Sequence, residues 1–536
     1  MRSLFVEWLG SENARNAGFL WWAHLTAAKN VMTSPLGDRL LEVLAVAEYL
    51  LAGAAPPVAV VGMADAQAKV LMRSLALAAA GWGFQDLRKK KTRPSWNVLH
   101  GLVQIARTAA ALPALRRARQ SRDFDLLLFT YVDADFREDR DAFFGRLAIR
   151  VMERTPRPST LHVAYFNDEP RKVLPLLGKT RLPPYEPLYG WLTWSDLLWC
   201  AVALIVEAVR IPRYRPREFV GLDVTPILVE EFRRDLGPGG YAASLLVYRA
   251  SRRLTLARRP RLLIYPFENK AIEKLLVLGV RSAHPACRLV GYQHTSVTPR
   301  HSSLLFAEGE AKVTPLPDRI VTVGEVSKQW LQRLGRYPAG LLTCGCSLRH
   351  HLGEPLARRA PNGGSRVLLA LSSTLRELQE AVRLIRRAKA IDSGLAFSVR
   401  PHPAFPIALL AEEDRSWLAT NAVDCSGTPL RHNLAWCDVV AYASSTVAIE
   451  ALAAGRPVIN LVLSDYLDPD PVLDSLAFHW KANDERALAK CVHEVAALST
   501  QRYEASQAEA LQYVQRYLHE PTERALDAFF DSEVNT

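Results

Sequence analysis

The chain has 536 residues, 49% hydrophobic and 23% charged, with a net charge of +12. That length excludes a single hydrophobic core and predicts two or three domains of ordinary globular composition. Cys200, Cys287, Cys344, Cys346, Cys425, Cys437 and Cys491 make no CxxC pair and no zinc-type spacing with histidine, so they are expected as reduced thiols of a cytosolic protein.

The N-terminal MRSLFVEWLGSEN places Glu7 and Glu12 where a signal peptide needs an apolar run, and no export signal is expected. The first strand candidates are SLFVEW (3–8) and PVAVVG (57–62), in a region of 120 residues whose pattern is otherwise weak. FLWWAHLTAAKN (19–30) pairs two tryptophans, which suits a buried wall or a substrate platform. Further candidates are DLLLFTYV (125–132), TLHVAYF (160–166), RLLIYPF (261–267), CRLVGYQ (287–293) and RIVTVG (319–324). A second series follows with RVLLAL (366–371), AFSVRP (396–401), DVVAYA (438–443) and PVINLV (457–462). Helical periodicity fills the intervals, as in LRELQEAVRLIRRAKAI (375–391). Strands alternating with helices predict parallel sheets covered by helices.

Between the two series lies a Gly- and Pro-rich connection, 332–366, in which APNGGS (360–365) is the clearest linker signal. The expected organisation is an α/β chain of two Rossmann-like domains, 1–350 and 351–485. Tail helices are expected over 486–536.

The longest apolar run, LLWCAVALIV (197–206), is bounded by Asp196 and Glu207. Ten residues cannot cross a bilayer, which takes about 20. With Trp191, Trp194, Trp199 and the basic tail RIPRYRPR, the insertion 190–219 has the build of an interfacial anchor on anionic lipid; a buried core helix explains the same pattern. The other basic runs, 86–96 and 114–122, suit solvated loops or a membrane surface. They are not interleaved with a regular set of aromatics, and no nucleic-acid partner is expected.

In an open parallel sheet, ligands bind at the carboxyl ends of the strands. His-Pro occurs twice, at 284–285 and 402–403, but only the second follows a strand. In VRPHPAF, Pro401 and Pro403 stiffen the turn that carries Arg400 and His402, placing both at the cleft end of the strand AFSVRP. In DVVAYASSTVAIEALAAGRPVINLV (438–462), Ser444, Ser445 and Thr446 stand between a strand and a helix. Small hydroxyls there serve as an N-cap or as an anion site, and three in a row favour phosphate. Glu450, one turn on, is placed for ribose hydroxyls.

RPHP followed some 40 residues later by SSTVAIEALAAGRPVI resembles the paired His-Pro and Ser-Ser/Thr motifs of bacterial GT-B enzymes that use cytidine nucleotides: the sialyl-, polysialyl- and Kdo transferases. LWWAHLTAAKN, DAFFGRLAIRV, YPFENKAIEKLL, RLVGYQHTSV and PDRIVTVGEVSKQWLQRLG resemble a family of bacterial surface-carbohydrate-biosynthesis proteins. The resemblance spans most of the chain and least of 190–250. It implies a metal-independent GT-B glycosyltransferase needing no cofactor beyond its nucleotide-sugar donor, a CMP-linked ulosonic acid. The acceptor would be a lipid-linked glycan at the inner face of the cytoplasmic membrane. The family's nucleotide-phosphate roles carry over to His402, Ser444 and Ser445. In a frame without metal, helix N-termini and Arg400 would take the charge of the leaving phosphate.

An inverting transfer needs one base for the acceptor hydroxyl. Glu268 in YPFENK and His294 in GYQHTS end neighbouring strand candidates and are the expected catalytic pair; Asp133 and Asp135 stand in reserve. The acidic motif that some sialyltransferases carry ahead of a glycine is not recognisable. A teichoic-acid-type transferase of polyol phosphate from a CDP donor, a UDP- or GDP-sugar transferase or epimerase, and a non-catalytic assembly subunit remain open alternatives.

Overall fold

The computed structural model describes residues 2–530 apart from 32, 53–63, 76–93, 134–139, 155–159, 180–182, 216, 350–352, 359–364, 372–373, 464–467 and 475. The strands are β1 (Leu126–Val132), β2 (Thr160–Phe166), β3 (Tyr185–Pro187), β4 (Glu218–Phe219), β5 (Leu222–Asp223), β6 (Leu262–Pro266), β7 (Arg288–Gln293), β8 (Arg319–Thr322) and β9 (Leu342–Cys344). Then come β10 (Arg366–Ala370), β11 (Ala396–Arg400), β12 (Ala422–Asp424), β13 (Val439–Tyr442), β14 (Val458–Leu461) and β15 (His479–Ala482).

Two parallel sheets follow, as expected for a GT-B chain. The first has the order β3-β2-β1-β6-β7-β8-β9 and the second β12-β11-β10-β13-β14-β15; β4 and β5 form a separate antiparallel pair. In each large sheet the order runs outward in one direction from its first strand and then reverses. Each therefore has a topological switch point, between β1 and β6 and between β10 and β13, and the crevice outside their carboxyl ends is where such sheets bind ligands.

Side chains alternate across these strands and divide the core. Leu127 and Phe129 of β1 enter one cluster, while Leu126 and Leu128 enter another. Val367 and Leu369 of β10 face the helices Leu375–Ile391 and Glu485–Ala496, whereas Leu368 and Ala370 join the same cluster as Leu126 and Leu128. This shared cluster also takes Tyr503, Tyr513 and Tyr517 of the helix Thr500–Tyr517. The end of the chain thereby packs against both sheets. Tyr517 Oη accepts a hydrogen bond from the Val297 amide (3.1 Å), and Arg319 Nη1 donates to the Phe530 carbonyl (3.1 Å).

The differences from expectation have physical causes. SLFVEW is not a strand but part of the helix Arg2–Asn16, whose buried Phe5, Val6, Leu9, Glu12 and Asn13 recur at helical spacing. PVAVVG, most of APNGGS and most of the basic run 86–96 lie outside the described residues. The unforeseen β3, β9, β12 and β15 are the four sheet edges, three or four residues long, too short for any periodicity to show. Of the paired tryptophans, Trp22 is buried and Trp21 donates from Nε1 to Asn13 Oδ1 (2.8 Å), so the pair forms a wall.

In the insertion 190–219, Thr193 and Asp196 cap the helix Trp194–Arg210 reciprocally. Trp191 lies under Arg119 and Arg258, and Trp199 under Arg249, so of the three tryptophans only Trp194 is exposed. Leu198, Val202, Ile205 and Val209 continue its line as an exposed apolar stripe, while Leu197, Cys200 and Leu204 bury the opposite face.

Candidate functional site

The first half-site lies where β6 ends. The turn Glu268–Asn269–Lys270 leads into the helix Ala271–Ala283, and its shape is fixed from below. Buried Glu273 accepts from the Glu268 amide (2.9 Å) and the Lys270 amide (3.2 Å). Buried Lys274 donates to the Asn269 carbonyl (2.6 Å), and Asn269 Nδ2 donates to the Ser303 carbonyl (2.6 Å). Asn269 sits at φ +59°, a left-handed conformation that asparagine tolerates better than most residues.

Glu268 and His294 come together as adjacent strand ends should. Glu268 Oε1 lies 3.5 Å from His294 Nε2, and Glu268 Oε2 is 2.7 Å from Lys270 Nζ. Burial works to raise the Glu268 carboxyl, but the Lys270 ammonium outweighs it and holds the group below the usual carboxylate range. His294 is buried under the edge of Phe143 (ring centroids 4.9 Å apart), and its burial pushes the imidazole down to about 3. The pair is thus a carboxylate beside a neutral imidazole. His301, also lowered by burial, adds a second neutral ring within the field of Glu268. Asp133 is exposed at the end of β1, and Asp135 lies outside the described residues.

The second half-site lies at the β10/β13 switch point. His402 is half-buried and its pKa is lowered by that burial. Its Nδ1 accepts from the Ala404 amide (3.1 Å), so in the neutral ring the proton sits on Nε2, as a donor. After β13, Ser445 Oγ accepts from the Val447 amide (3.3 Å) and caps the helix Val447–Ala453, while Thr446 is exposed and makes no side-chain cap. Ser444 Oγ donates to Glu377, a buried carboxylate in the first turn of the helix Leu375–Ile391. Glu377 already answers the dipole of that helix, so an anion site here rests on the turn after β13.

Arg400, expected to face the leaving phosphate, spends Nη1 on the Thr428 carbonyl (2.6 Å), Asn433 Oδ1 (2.8 Å) and the Cys425 carbonyl (3.2 Å). It holds the loop after β12. Its charge still reaches Glu450, whose pKa is raised by burial against the pull of Arg349 and Arg400. Arg349 joins the halves: its guanidinium lies 5.5 Å from the Phe143 ring centre, and its charge acts on both His294 and Glu450.

Sequence reasoning missed Lys270, Arg349, His301 and Glu377. Only Glu377 carried a local signal: in the sequence LSST follows the segment RVLLA as ASST follows VVAY, with Glu377 three residues past Thr374 in the spacing of a capping box. Among the described residues, no cluster of three or more His, Cys, Asp or Glu side chains could hold a metal ion.

No family model matches the chain, and no curated protein matches it. Solved structures resemble it at low identity. HepE of Anabaena in complex with UDP and glucose is 11% identical over 74% of this chain and 95% of that one, with a TM-score of 0.38. CalG4, the calicheamicin glycosyltransferase, is 14% identical over 77% and 98%, with a TM-score of 0.42. UDP-GlcNAc 2-epimerase from Neisseria meningitidis, bound to UDP-GlcNAc, is 9% identical over 75% and 97%, with a TM-score of 0.41.

Proposed function

We propose that the chain is a glycosyltransferase that moves a sugar from a nucleotide donor at the β10/β13 crevice to an acceptor hydroxyl beside Glu268. The observation that carries this reading is the pair of strand-end sites: Glu268 and His294 3.5 Å apart after β6 and β7, and His402 and Ser445 after β11 and β13. Two sheets that each end in such a site suit two substrates.

In this reaction Glu268 takes the acceptor proton. It is ionised at neutral pH, and the neutral His294 at 3.5 Å orients it without adding a positive charge that would weaken it as a base. As the bond from the anomeric carbon to the phosphate oxygen breaks, His402 Nε2–H and the hydroxyls of Ser445 and Thr446 meet the charge left on the nucleotide.

The donor in this proposal is a CMP-activated ulosonic acid and the acceptor a lipid-linked glycan of surface polysaccharide assembly. The protein would work peripherally on the inner face of the cytoplasmic membrane. The RPHP and SST stretches support the donor. The exposed stripe from Trp194 to Val209, followed by Arg210 and Arg213, supports the membrane surface.

Thermal unfolding with CMP, CDP, UMP, UDP and GDP tests the donor class, because a ligand that binds only the folded chain raises its apparent stability. A shift with CMP that disappears in His402→Ala supports the proposal. A shift with UDP or GDP alone rejects the CMP donor, and no shift with any nucleotide rejects glycosyl transfer.

A further inference from the structure

A cavity of about 680 Å³ opens beside the catalytic pair. Glu268, Lys270, Tyr131, Phe143, Tyr165 and Tyr189 are among the residues that line it. Lys270 Nζ stands 5.6 Å from the centre of the Tyr131 ring. The lining mixes tyrosine and phenylalanine rings with the charged Glu268, Lys270, Arg107, Asp168 and Glu169, a combination that suits the apolar CH faces and hydroxyls of a sugar.

The outer wall belongs to the helix Pro94–Arg117, which contributes Val103 and Arg107. This helix is unusual for its place. By length and composition Trp96–Arg117 could cross a bilayer, yet only 28% of its apolar window is buried. It is not free of the protein, since Gly101 abuts its neighbours: a Cβ there would fall 2.5 Å from the Leu236 carbonyl oxygen and 2.8 Å from Leu204 Cδ2. With that side fixed, the exposed side presents Trp96 (54% exposed), Leu99 (50%) and Val103 (38%) to solvent. Single exposed apolar residues need no explanation. Here Val103 belongs both to the exposed line and to the cavity lining, so exposed apolar surface reaches the chamber that Glu268 lines.

We propose that this cavity is the acceptor site and that its acceptor is an amphiphile, with a saccharide end at Glu268 and Lys270 and an apolar chain that leaves past Val103 along the helix Pro94–Arg117. The site rests on the glycosyl-transfer reading and adds to it the cavity that holds the acceptor and the path by which its apolar chain leaves.

Calorimetric titration of the full chain with n-dodecyl-β-maltoside, below its critical micelle concentration, tests the site. The detergent is expected to bind at least 100-fold more tightly than maltose. It should also bind at least tenfold more tightly than dodecyl dimethylamine oxide, which has the chain without the sugar. Val103→Asp should weaken it at least tenfold, while Leu198→Asp, on the other exposed stripe, changes it less than twofold. Absence of binding, equal binding of the amine oxide, or loss of binding in Leu198→Asp but not in Val103→Asp overturns the site. The nucleotide shift, measured on the same samples, separates the two levels. If it is intact while detergent binding fails, only the acceptor site is rejected. If it is absent from the unaltered chain, the glycosyl-transfer reading is rejected, and this inference with it.

Discussion

Glu268 and His294 end adjacent strands and approach to 3.5 Å, yet the contact carries a single charge, because burial keeps the imidazole neutral down to about pH 3. The partner that keeps Glu268 ionised is Lys270, 2.7 Å away.

Loss of that lysine should therefore change the acid side of the pH profile. Glu268→Gln removes the base and is expected to lower kcat by about 10²–10⁴-fold with nucleotide binding intact. Lys270→Met leaves the carboxyl but removes its main counter-charge, so burial then raises the pKa. The acid limb of kcat/KM should move from below the ordinary carboxylate pKa toward neutral. Rates of nucleotide release measured from pH 4 to 8 decide this, and an unmoved limb in Lys270→Met excludes Glu268 as the titrating base.

His402 is read as a neutral donor, which fixes the sign of its pH dependence. Its folded pKa is lowered by burial, so protonation begins below the ordinary histidine value of about 6.5. The affinity ratio between the unaltered chain and His402→Gln should be flat from pH 7 to 8. It should rise in favour of histidine only at pH values below the ordinary histidine pKa, as a positive ring meets the phosphate. The ratio cancels the titration of the nucleotide itself.

Asp196 stabilises the helix Trp194–Arg210 through Thr193, Arg253 and Arg249. Burial works to raise its pKa, but these partners outweigh it and the folded value is depressed. A depressed carboxylate contributes stability above its unfolded pKa of about 3.9 and loses it as the pH falls through the folded value. Asp196→Asn should cost about 2–3 kcal/mol at pH 7 in urea unfolding, and the difference should shrink below pH 4. A difference independent of pH would contradict the ionic role.

Gly279 is where the helix Ala271–Ala283 meets Tyr241–Arg258. A Cβ there would fall 2.0 Å from Ser251 Oγ and 2.7 Å from the Tyr248 carbonyl oxygen. Gly279→Ala must part the two helices and is expected to cost about 1–3 kcal/mol, read as a lower urea midpoint. The same shift would disturb the turn that carries Glu268, so kcat should fall more than KM changes.

The central strands were legible because each is an apolar run of at least four residues between helical patterns. The edges were not, since β3, β9, β12 and β15 are short and their neighbours alone define them. Glu268, His294, His402 and Ser444 could be named because strand ends in parallel sheets are places of known meaning. Arg349 could not: it lies in the connection, and only the tertiary approach of the two halves gives its charge something to act on. Arg400 illustrates the converse. Its position in RPHP suggested a ligand contact, but three acceptors between β12 and β13, two loop carbonyls and the helical Asn433, take up its Nη1, and no sequence rule gives their distance.

The chain passes between its two halves on the way out, near Ser347, and again on the way back, near His519. At that place the Ser347 amide donates to the His519 carbonyl (2.8 Å), and the His519 amide donates to the Val323 carbonyl (2.9 Å). Both crossings are thus stitched side by side, like the two leaves of a door hinge. A change at His519 is therefore felt at both crossings at once, and Arg349 stands two residues along the chain from the first of them.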